Sequence, residues 1–523
     1  MTIGTKPAIA AQNRYDVIVI GGGINGTSAA RELSASGYKV LLAEQADFAN
    51  GASGRSSRIL HCGLRYFETQ HPVRTFALSP QRFTEAVGMA KAAMEAREEL
   101  ARQLPERCKP FTMCFPLYAR DDIRGWHLDL GFALLKRLGP AGHLPLDYRR
   151  LKADISRTLP FAVDLRDQDK LGSIATYREY MIDWPDRLCV DAALEAERNG
   201  ADIRLFTRAV LGQRVSNGDW SVALRQLHGG VDTVTAPIVL NMAGTWIDGV
   251  SSQDGPQPAS PLVQGTKGAH IVVRLPKRYQ GFGIAALHRG AMPFYCLPLD
   301  DETFYFGPTE TLYDGDASSV WATDEDIDFL LGEANFLLPG LRLTRQDVEF
   351  SWAGVRPLTF DPQQPMGRRT REIHDLADRG LPGVLAMTAG PVMSHRSAGR
   401  ELREAISHRI KPSHECERQP ATASRSVPAS NTGQLSPELA FRQAVIAEHA
   451  RDLRGILYTR TGFAWGRHLD RQDVERAADC VADLLGWSPN QAAEHVGDFL
   501  QHQETVFRAG SVRFSFKQAA TTR

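Results

Sequence analysis

The chain has 523 residues, 61 basic and 61 acidic, and is 43% hydrophobic and 23% charged; this is ordinary globular material, long enough for about three domain-sized units and for burying a large cofactor. The balanced charge excludes a global basic field for nucleic acid, and disorder, collagen and coiled coil fail as whole-chain descriptions. Seven cysteines without a C-x-x-C pair suggest neither a metal site nor a disulfide framework, and reduced thiols in a cytoplasmic compartment are the simpler reading.

Residues 15–20, YDVIVI, are short, β-branched and apolar, and predict a buried parallel strand. The turn Gly21-Gly22-Gly23-Ile24-Asn25-Gly26 follows at once. Residues 27–36 predict a helix stopped by Gly37, and residues 39–43, KVLLA, a second strand ending at Glu44. Residues 83–104 and 189–199 read as helices, 202–210 as a strand, and 220–227 with 231–240 as paired strands. The stretches 269–274, 294–299 and 303–306 predict an antiparallel sheet in a second domain, inserted between pieces of the nucleotide domain. A late strand at 384–387 ends at Thr388-Ala389-Gly390, and 396–410 predicts a helix. Prolines among Ser, Thr, Gln and Asn mark 411–437 as a flexible linker, and 438–507 predicts an all-helical region. The charge clusters at 106–109 and 149–152 read as solvated faces. No run of 18 apolar residues predicts a membrane span, and residues 1–14 lack the apolar core of a secretory signal.

Gly21-x-Gly23-x-x-Gly26 is a dinucleotide fingerprint. The first glycine permits a tight turn, the second a close approach of backbone to pyrophosphate, and the third close packing of helix on strand. The helix N-terminus then offers free N–H groups to the phosphates. Glu44 is placed to accept from ribose hydroxyls, and an acid there disfavours a 2′-phosphate. This element alone leaves FAD and NAD open. Two later strands ending in small residues, IVLNMAG at 238–244 and VLAMTAG at 384–390, favour FAD, with Gly244 and Gly390 allowing close backbone approach.

The stretch 51–68, GASGRSSRILHCGLRYFE, resembles the FAD-dependent glycerol-3-phosphate dehydrogenase family, whose members show a Ser-rich loop, a basic residue and then His-Gly-Gly-Leu-Arg-Tyr. The match falls on Ser53, Ser56, Ser57, Arg58, His61, Gly63, Leu64, Arg65 and Tyr66, with Cys62 in place of a glycine. The resemblance continues through 177–188, Asn241 to Trp246, Lys267-Gly268-Ala269-His270, Gly354-Val355-Arg356-Pro357, Thr370-Arg371 and Leu485 to Ser488. It covers residues 15–507 apart from the linker, and departs where Pro391 stands in place of a family lysine thought to help hold the substrate phosphate.

The resemblance implies an α/β fold: an FAD-binding Rossmann-like, doubly wound domain, an inserted antiparallel-sheet substrate domain and a C-terminal all-helical domain. The FAD-dependent unit spans 15–410, its nucleotide-binding segments at about 15–80, 185–250 and 350–410, followed by the linker and a helical domain over 438–510. The implied activity is oxidation of glycerol 3-phosphate or a related polyol phosphate by hydride transfer to flavin. Arg356 stabilises the developing alkoxide and His270 accepts the proton. Arg65 and Tyr66 hold the anionic group, with Arg371 as a second anion anchor. The implied cofactor contacts are Gly21, Gly23, Ile24, Asn25, Gly26, Glu44, Gln45, Ser53, Arg58, Leu60, His61, Val210, Gly244 and Gly390. Electrons then leave to a quinone, or to oxygen; the family analogy also implies peripheral contact with the inner face of the cytoplasmic membrane and leaves room for a homodimer. Two alternatives stand beside this reading, an amine or amino-acid oxidase of the same broad group and a flavin-binding protein without turnover.

Overall fold

A computed structural model of the chain describes residues 13–67, 72–119, 123–140, 142–227, 229–252, 260–290, 292–414 and 436–511. Most of the expected linker, 415–435, lies outside the described residues.

The first strand, Val17–Ile20, lies inside a six-stranded sheet, between Ile238–Asn241 and Val40–Ala43 and parallel to both. Asp202–Arg204 extends it beyond Val40–Ala43, and Val384–Thr388 extends it beyond Ile238–Asn241; antiparallel Glu372–Asp375 closes the edge. Side chains alternate between its faces. Val17, Val19, Val40 and Leu42 pack under the helices Ile24–Ser34, Asp186–Arg198 and His395–Ser407. Ile18, Ile20, Leu41 and Ala43 pack against Trp220, Val222 and Leu224 of a three-stranded antiparallel sheet, Thr207–Arg214, Trp220–Gln226 and Val231–Ala236. Covered on both faces, the central strands carry apolar residues at successive positions, which is why YDVIVI reads as an unbroken run.

Two expected strands divide. The run at 202–210 breaks at Phe206, whose φ is +52°, so Asp202–Arg204 stays in the parallel sheet and Thr207–Arg214 starts the three-stranded one. The run at 231–240 breaks before Ile238 for the same purpose.

The second sheet has ten strands. Val263–Arg274 pairs antiparallel with Thr303–Gly307 and along its length with Val348–Thr359; Pro293–Pro298 joins Thr303–Gly307, and Cys108–Tyr118 joins Leu171–Ile182. One pair departs from the antiparallel expectation: Phe282–Leu287 runs parallel to Cys108–Tyr118. One face packs on the helix Asp324–Leu337. The other face shares a core with the C-terminal helices Pro437–Glu448, Arg471–Leu485 and Pro489–Val506: Trp352 and Phe350 lie beside Trp465 and Phe507, with Phe350 and Phe507 stacked 5.1 Å apart. Gly486 ends the helix Arg471–Leu485 at φ +68°, and Ser488 with Gln491 caps the next.

The cluster at 106–109 is not a solvated face throughout. Arg107 is buried and pairs with Asp183 and Asp191, because a guanidinium held by two carboxylates is satisfied inside the fold. Among the described residues no helix is long and apolar enough to cross a membrane.

Candidate active site

A cleft of about 270 Å³ opens at the carboxyl ends of the central strands, where an open α/β sheet offers a crevice. Its floor is the glycine turn. Gly21 sits at φ +115°, and a Cβ there would lie 2.6 Å from the Met242 carbonyl oxygen; a Cβ on Gly26 would lie 2.0 Å from the Gly21 oxygen. Helix Ile24–Ser34 can therefore start hard against the strand. Gly23, its N-cap, contributes no side-chain cap; Ser53 Oγ reaches over instead and accepts from Ile24 N at 3.0 Å. Asn25 and Gly26, in the first turn, have no carbonyl inside the helix for their N–H groups, which is how a helix start presents donors to a phosphate.

Glu44 closes the second strand and lines the cleft. One carboxylate oxygen accepts from Gly22 N at 2.6 Å and the other from Ala46 N at 2.8 Å. Burial raises its pKa, and these two N–H groups oppose the rise. The same bonds fix the carboxylate's orientation over the turn. Gln45, Val210, Gly244 and Gly390 also line the cleft with Gly21, Gly23, Ile24, Asn25 and Ser53.

A second hollow of about 180 Å³ continues the first, sharing Ala52, Pro357, Ala389, Gly390 and Val392 with it. The junction is built by the late strand: Ala389, at φ +53°, donates its N–H to the Pro357 carbonyl at 2.8 Å, which ties the Thr388-Ala389-Gly390 turn to the strand bearing Arg356. The hollow is lined by Arg58, His61, Arg65, Tyr66, His270, Arg356 and Arg369, and no acid is among its described lining residues.

His270 is buried on the Val263–Arg274 strand, its ring stacked 4.5 Å from Trp352 and edge-on to Tyr305. Nε2 lies 3.2 Å from Ser57 Oγ, while Nδ1 is sealed and has no partner among the described residues. Burial, then the charges of Arg356 and Arg58, holds its pKa well below 6.5, so the ring is neutral at neutral pH. Arg356 stands on the neighbouring strand, and one of its amino groups, Nη1, is buried without a partner among the described residues. Burial, with Arg369 and Arg65 close by and Glu310 opposing, lowers its pKa to about 10. Arg58 adopts φ +60°, donates to the Asp183 carbonyl at 2.8 Å and lies 4.3 Å over the ring of Trp465. His61 meets Tyr66 edge-on at 5.4 Å.

Three of the expected site residues stand off the described linings. Arg371 does not line the hollow: it is ion-paired with Glu401 and hydrogen-bonded to Ser394 and Ser397, so its charge is spent on the helix His395–Ser407. Leu60 turns its side chain into the core under the nucleotide sheet, because alternation along Ile59–Leu60 sends Ile59 to the hollow and Leu60 away from it. Gly26 packs against the Gly21 carbonyl, as the fingerprint's third glycine is expected to, and its own atoms do not line the cleft. Sequence reasoning missed Arg369, which lines the hollow, and Lys267 is a buried partner of Asp326 at 2.6 Å.

The arrangement fits a flavin dinucleotide. A cradle with no room for a Cβ at Gly21 and Gly26 stands at one end, and buried donor atoms without partners among the described residues, such as Arg356 Nη1, stand at the other. The profile of the FAD dependent oxidoreductase (DAO) family matches residues 16–405. A glycerol-3-phosphate dehydrogenase from Synechocystis is 30% identical over 499 residues, which cover 90% of this chain and 81% of that protein. Among solved structures, the glycerol-3-phosphate dehydrogenase from Bacillus halodurans complexed with FAD shares the fold, with a TM-score of 0.70 at 20% identity over 96% of this chain and 97% of that one. Glycine oxidase from Geobacillus kaustophilus also shares it, with a TM-score of 0.52 at 20% identity, but over only 75% of this chain and 95% of that one. The chain belongs to the FAD-dependent glycerol-3-phosphate dehydrogenase family, within the FAD dependent oxidoreductases.

Proposed function

We propose that this protein oxidises the secondary hydroxyl of glycerol 3-phosphate, or of a closely related polyol phosphate, to the keto phosphate. The observation that carries the reading is the cluster of guanidinium groups, Arg65, Arg356 and Arg369 with Arg55 and Arg58, around a hollow continuous with the dinucleotide cleft. A phosphate meets attraction there, whereas an amine brings positive charge to a wall that already has it.

Bound FAD supplies the hydride acceptor. Gly21, Gly23, Asn25 and Glu44 would hold its dinucleotide half, and Arg58 and His61 would lie toward its reactive half. Arg65 and Tyr66 fix the substrate's anionic group, and so set the distance of its carbinol carbon from the cofactor. Arg356 meets the oxygen that becomes negative as the proton leaves; its unpartnered Nη1 needs no reorganisation to do so. His270 takes that proton at Nε2, the nitrogen beside Ser57, since Nδ1 is sealed off.

The same reading passes electrons onward to a quinone or to oxygen, and places the protein in the cytoplasm with peripheral contact at the inner membrane face; cosedimentation with lipid vesicles and quinone-accelerated turnover test that part. It keeps the division into an FAD-dependent unit over 15–410 and a helical region over 438–510, and a homodimer, which light scattering tests. Anaerobic mixing with a panel of donors tests the reaction itself. Phosphorylated polyols should bleach the flavin, and amines and amino acids should not. Bleaching by amines alone would replace the reading with an oxidase of that class, and bleaching by neither would leave a binding protein.

A further inference from the structure

Glu44 and Gln45 line the dinucleotide cleft, as do Asn50 to Ser53, while residues 46–49 between them make a turn with Ala49 at φ +58°. Ala49 N donates to the Gly22 carbonyl at 3.2 Å and Gly54 N to the Ala49 carbonyl at 3.1 Å, so this turn joins the glycine turn to the serine-rich loop. Asp47, within it, is ion-paired with Arg460 of the C-terminal region, whose side chain is fully buried. Arg460 Nε also donates to the Glu448 carbonyl at 3.0 Å, and its guanidinium lies 5.4 Å over the ring of Phe48. Arg460 ends a π-helical turn, Gly455–Arg460, a rare conformation that collects at functional sites. Gly455 leaves room for the pair: a Cβ there would run into Asp47 Oδ2 and come within 3.0 Å of Arg460 Nη1. A second buried pair, Arg187 with Glu448 at 2.7 Å, and the bond from Trp184 Nε1 to the Thr459 carbonyl at 3.1 Å brace the same junction. Farther along the loop, the guanidinium groups of Arg55 and Arg58 lie 4.3 Å over Phe507 and Trp465 of the same region.

We propose that Arg460 is a positioning residue for the cofactor: through Asp47 it holds residues 47–53 closed along the dinucleotide cleft, which makes the C-terminal helices a working part of the FAD site. The inference needs bound FAD and does not rest on the polyol phosphate reading. Arg460 lines neither the cleft nor the hollow, so it acts on the cofactor through the loop alone. Gly51 and Ala52 carry no side chain that could anchor them by hydrogen bond or charge, and their place beside the cofactor depends on what holds the turn before them. A buried ion pair suits that task. Two charges already out of water are costly to part, and the guanidinium fork, spread over Asp47 and the Glu448 carbonyl, fixes direction as well as distance. With the pair broken, the loop opens and FAD escapes faster, while the glycine cradle across the cleft is untouched.

The test uses the purified full-length holoenzyme, well below its melting temperature, and follows the fluorescence of flavin released after dilution. Calorimetry on the same samples gives Tm. Arg460→Gln and Asp47→Asn should each release FAD about 10-fold faster than wild type, and the double variant should be within about 3-fold of either single, because all three remove one contact. Arg460→Lys, which keeps a cation beside Asp47, should release FAD more slowly than Arg460→Gln. Trp487→Leu measures structural loss alone: Trp487 stacks on His495 at 4.0 Å within the same helices, and its variant should lower Tm while FAD release stays within about 2-fold of wild type. Gly455→Ala keeps both charges and fills the seat of Asp47; it repeats the measurement, with the same 10-fold expectation, if the Arg460 and Asp47 proteins do not fold. Unchanged FAD release in Arg460→Gln, or in Gly455→Ala where it stands in, would overturn the proposal. So would additive effects in the double variant, or equal acceleration by Trp487→Leu. Release of FAD is read without any donor, so its outcome is separate from which donor bleaches the flavin.

Discussion

At the Gly21 end the cleft is made of backbone, and at the Arg356 end it is made of side-chain charge. The first is one contiguous piece of chain, strand, turn, helix and strand, where N–H groups and the absence of Cβ atoms do the binding and Glu44 is the acid at hand. The second gathers Arg65, His270, Arg356 and Arg369 from separate segments onto one hollow, and burial there shifts the pKa of each of the last three downward. The contrast assigns different work to the two ends. Under the proposed function, a rigid cradle of backbone with Glu44 at its edge would hold a cofactor that stays, and a cationic hollow would admit an anion that must come and go.

The strongest way to break this division is at Gly26. Its Cβ would overlap the Gly21 carbonyl oxygen at 2.0 Å; that oxygen is backbone and a Cβ is fixed rigidly to its Cα, so neither side can give. Gly26→Ala should cost about 3 kcal/mol or more of stability and leave the purified protein colourless. A yellow, normally stable variant would show that the helix start is not held by that contact. Calorimetry and the flavin absorbance read both effects.

Gly268→Ala probes the other end. Its Cβ would fall 2.1 Å from Arg356 Nη2 and 2.6 Å from Cζ, but these are the far end of a flexible side chain. The fold should survive with full FAD content while the guanidinium moves by about 1 Å, which lowers kcat by about 10²-fold. Loss of flavin in this variant would mean that the two ends are not separable.

A smaller effect sharpens the electrostatic half. The base form of His270 is the neutral one, present above its pKa; because burial and then Arg356 and Arg58 hold that pKa well below 6.5, the neutral ring persists as pH falls through 6.5. The acid limb of kcat/KM should therefore lie below pH 6.5 rather than at it. A limb at or above 6.5 assigned to His270 by its loss in His270→Asn would contradict the neutral, charge-surrounded histidine.

The same contrast explains what could be read from the amino-acid order. The cradle was legible because its parts are neighbours in sequence: a β-branched run, three glycines at fixed spacing, a helix and an acid. The parallel sheet followed from short apolar runs, although the 202–210 and 231–240 runs each conceal a change of sheet, at Phe206 and before Ile238, that no local pattern marks. The charged hollow was legible only in part. Arg65, Tyr66, His270 and Arg356 stood out through a resemblance, but nothing near Arg369 or Arg371 says which of them turns inward. That is settled by the Thr359–Arg368 fold-back and by Glu310 and Glu401, the last on a helix 30 residues beyond Arg371. Arg107 teaches the same lesson: its burial depends on Asp183 and Asp191, far along the chain.

The most direct measurement is the visible spectrum of purified Arg356→Met protein during anaerobic addition of glycerol 3-phosphate. A yellow protein with stoichiometric FAD, bleached about 10²–10³-fold more slowly than wild type, is the predicted result. A colourless protein, or one bleached at the wild-type rate, would contradict the separation of a cofactor-holding end from a charge-stabilising one.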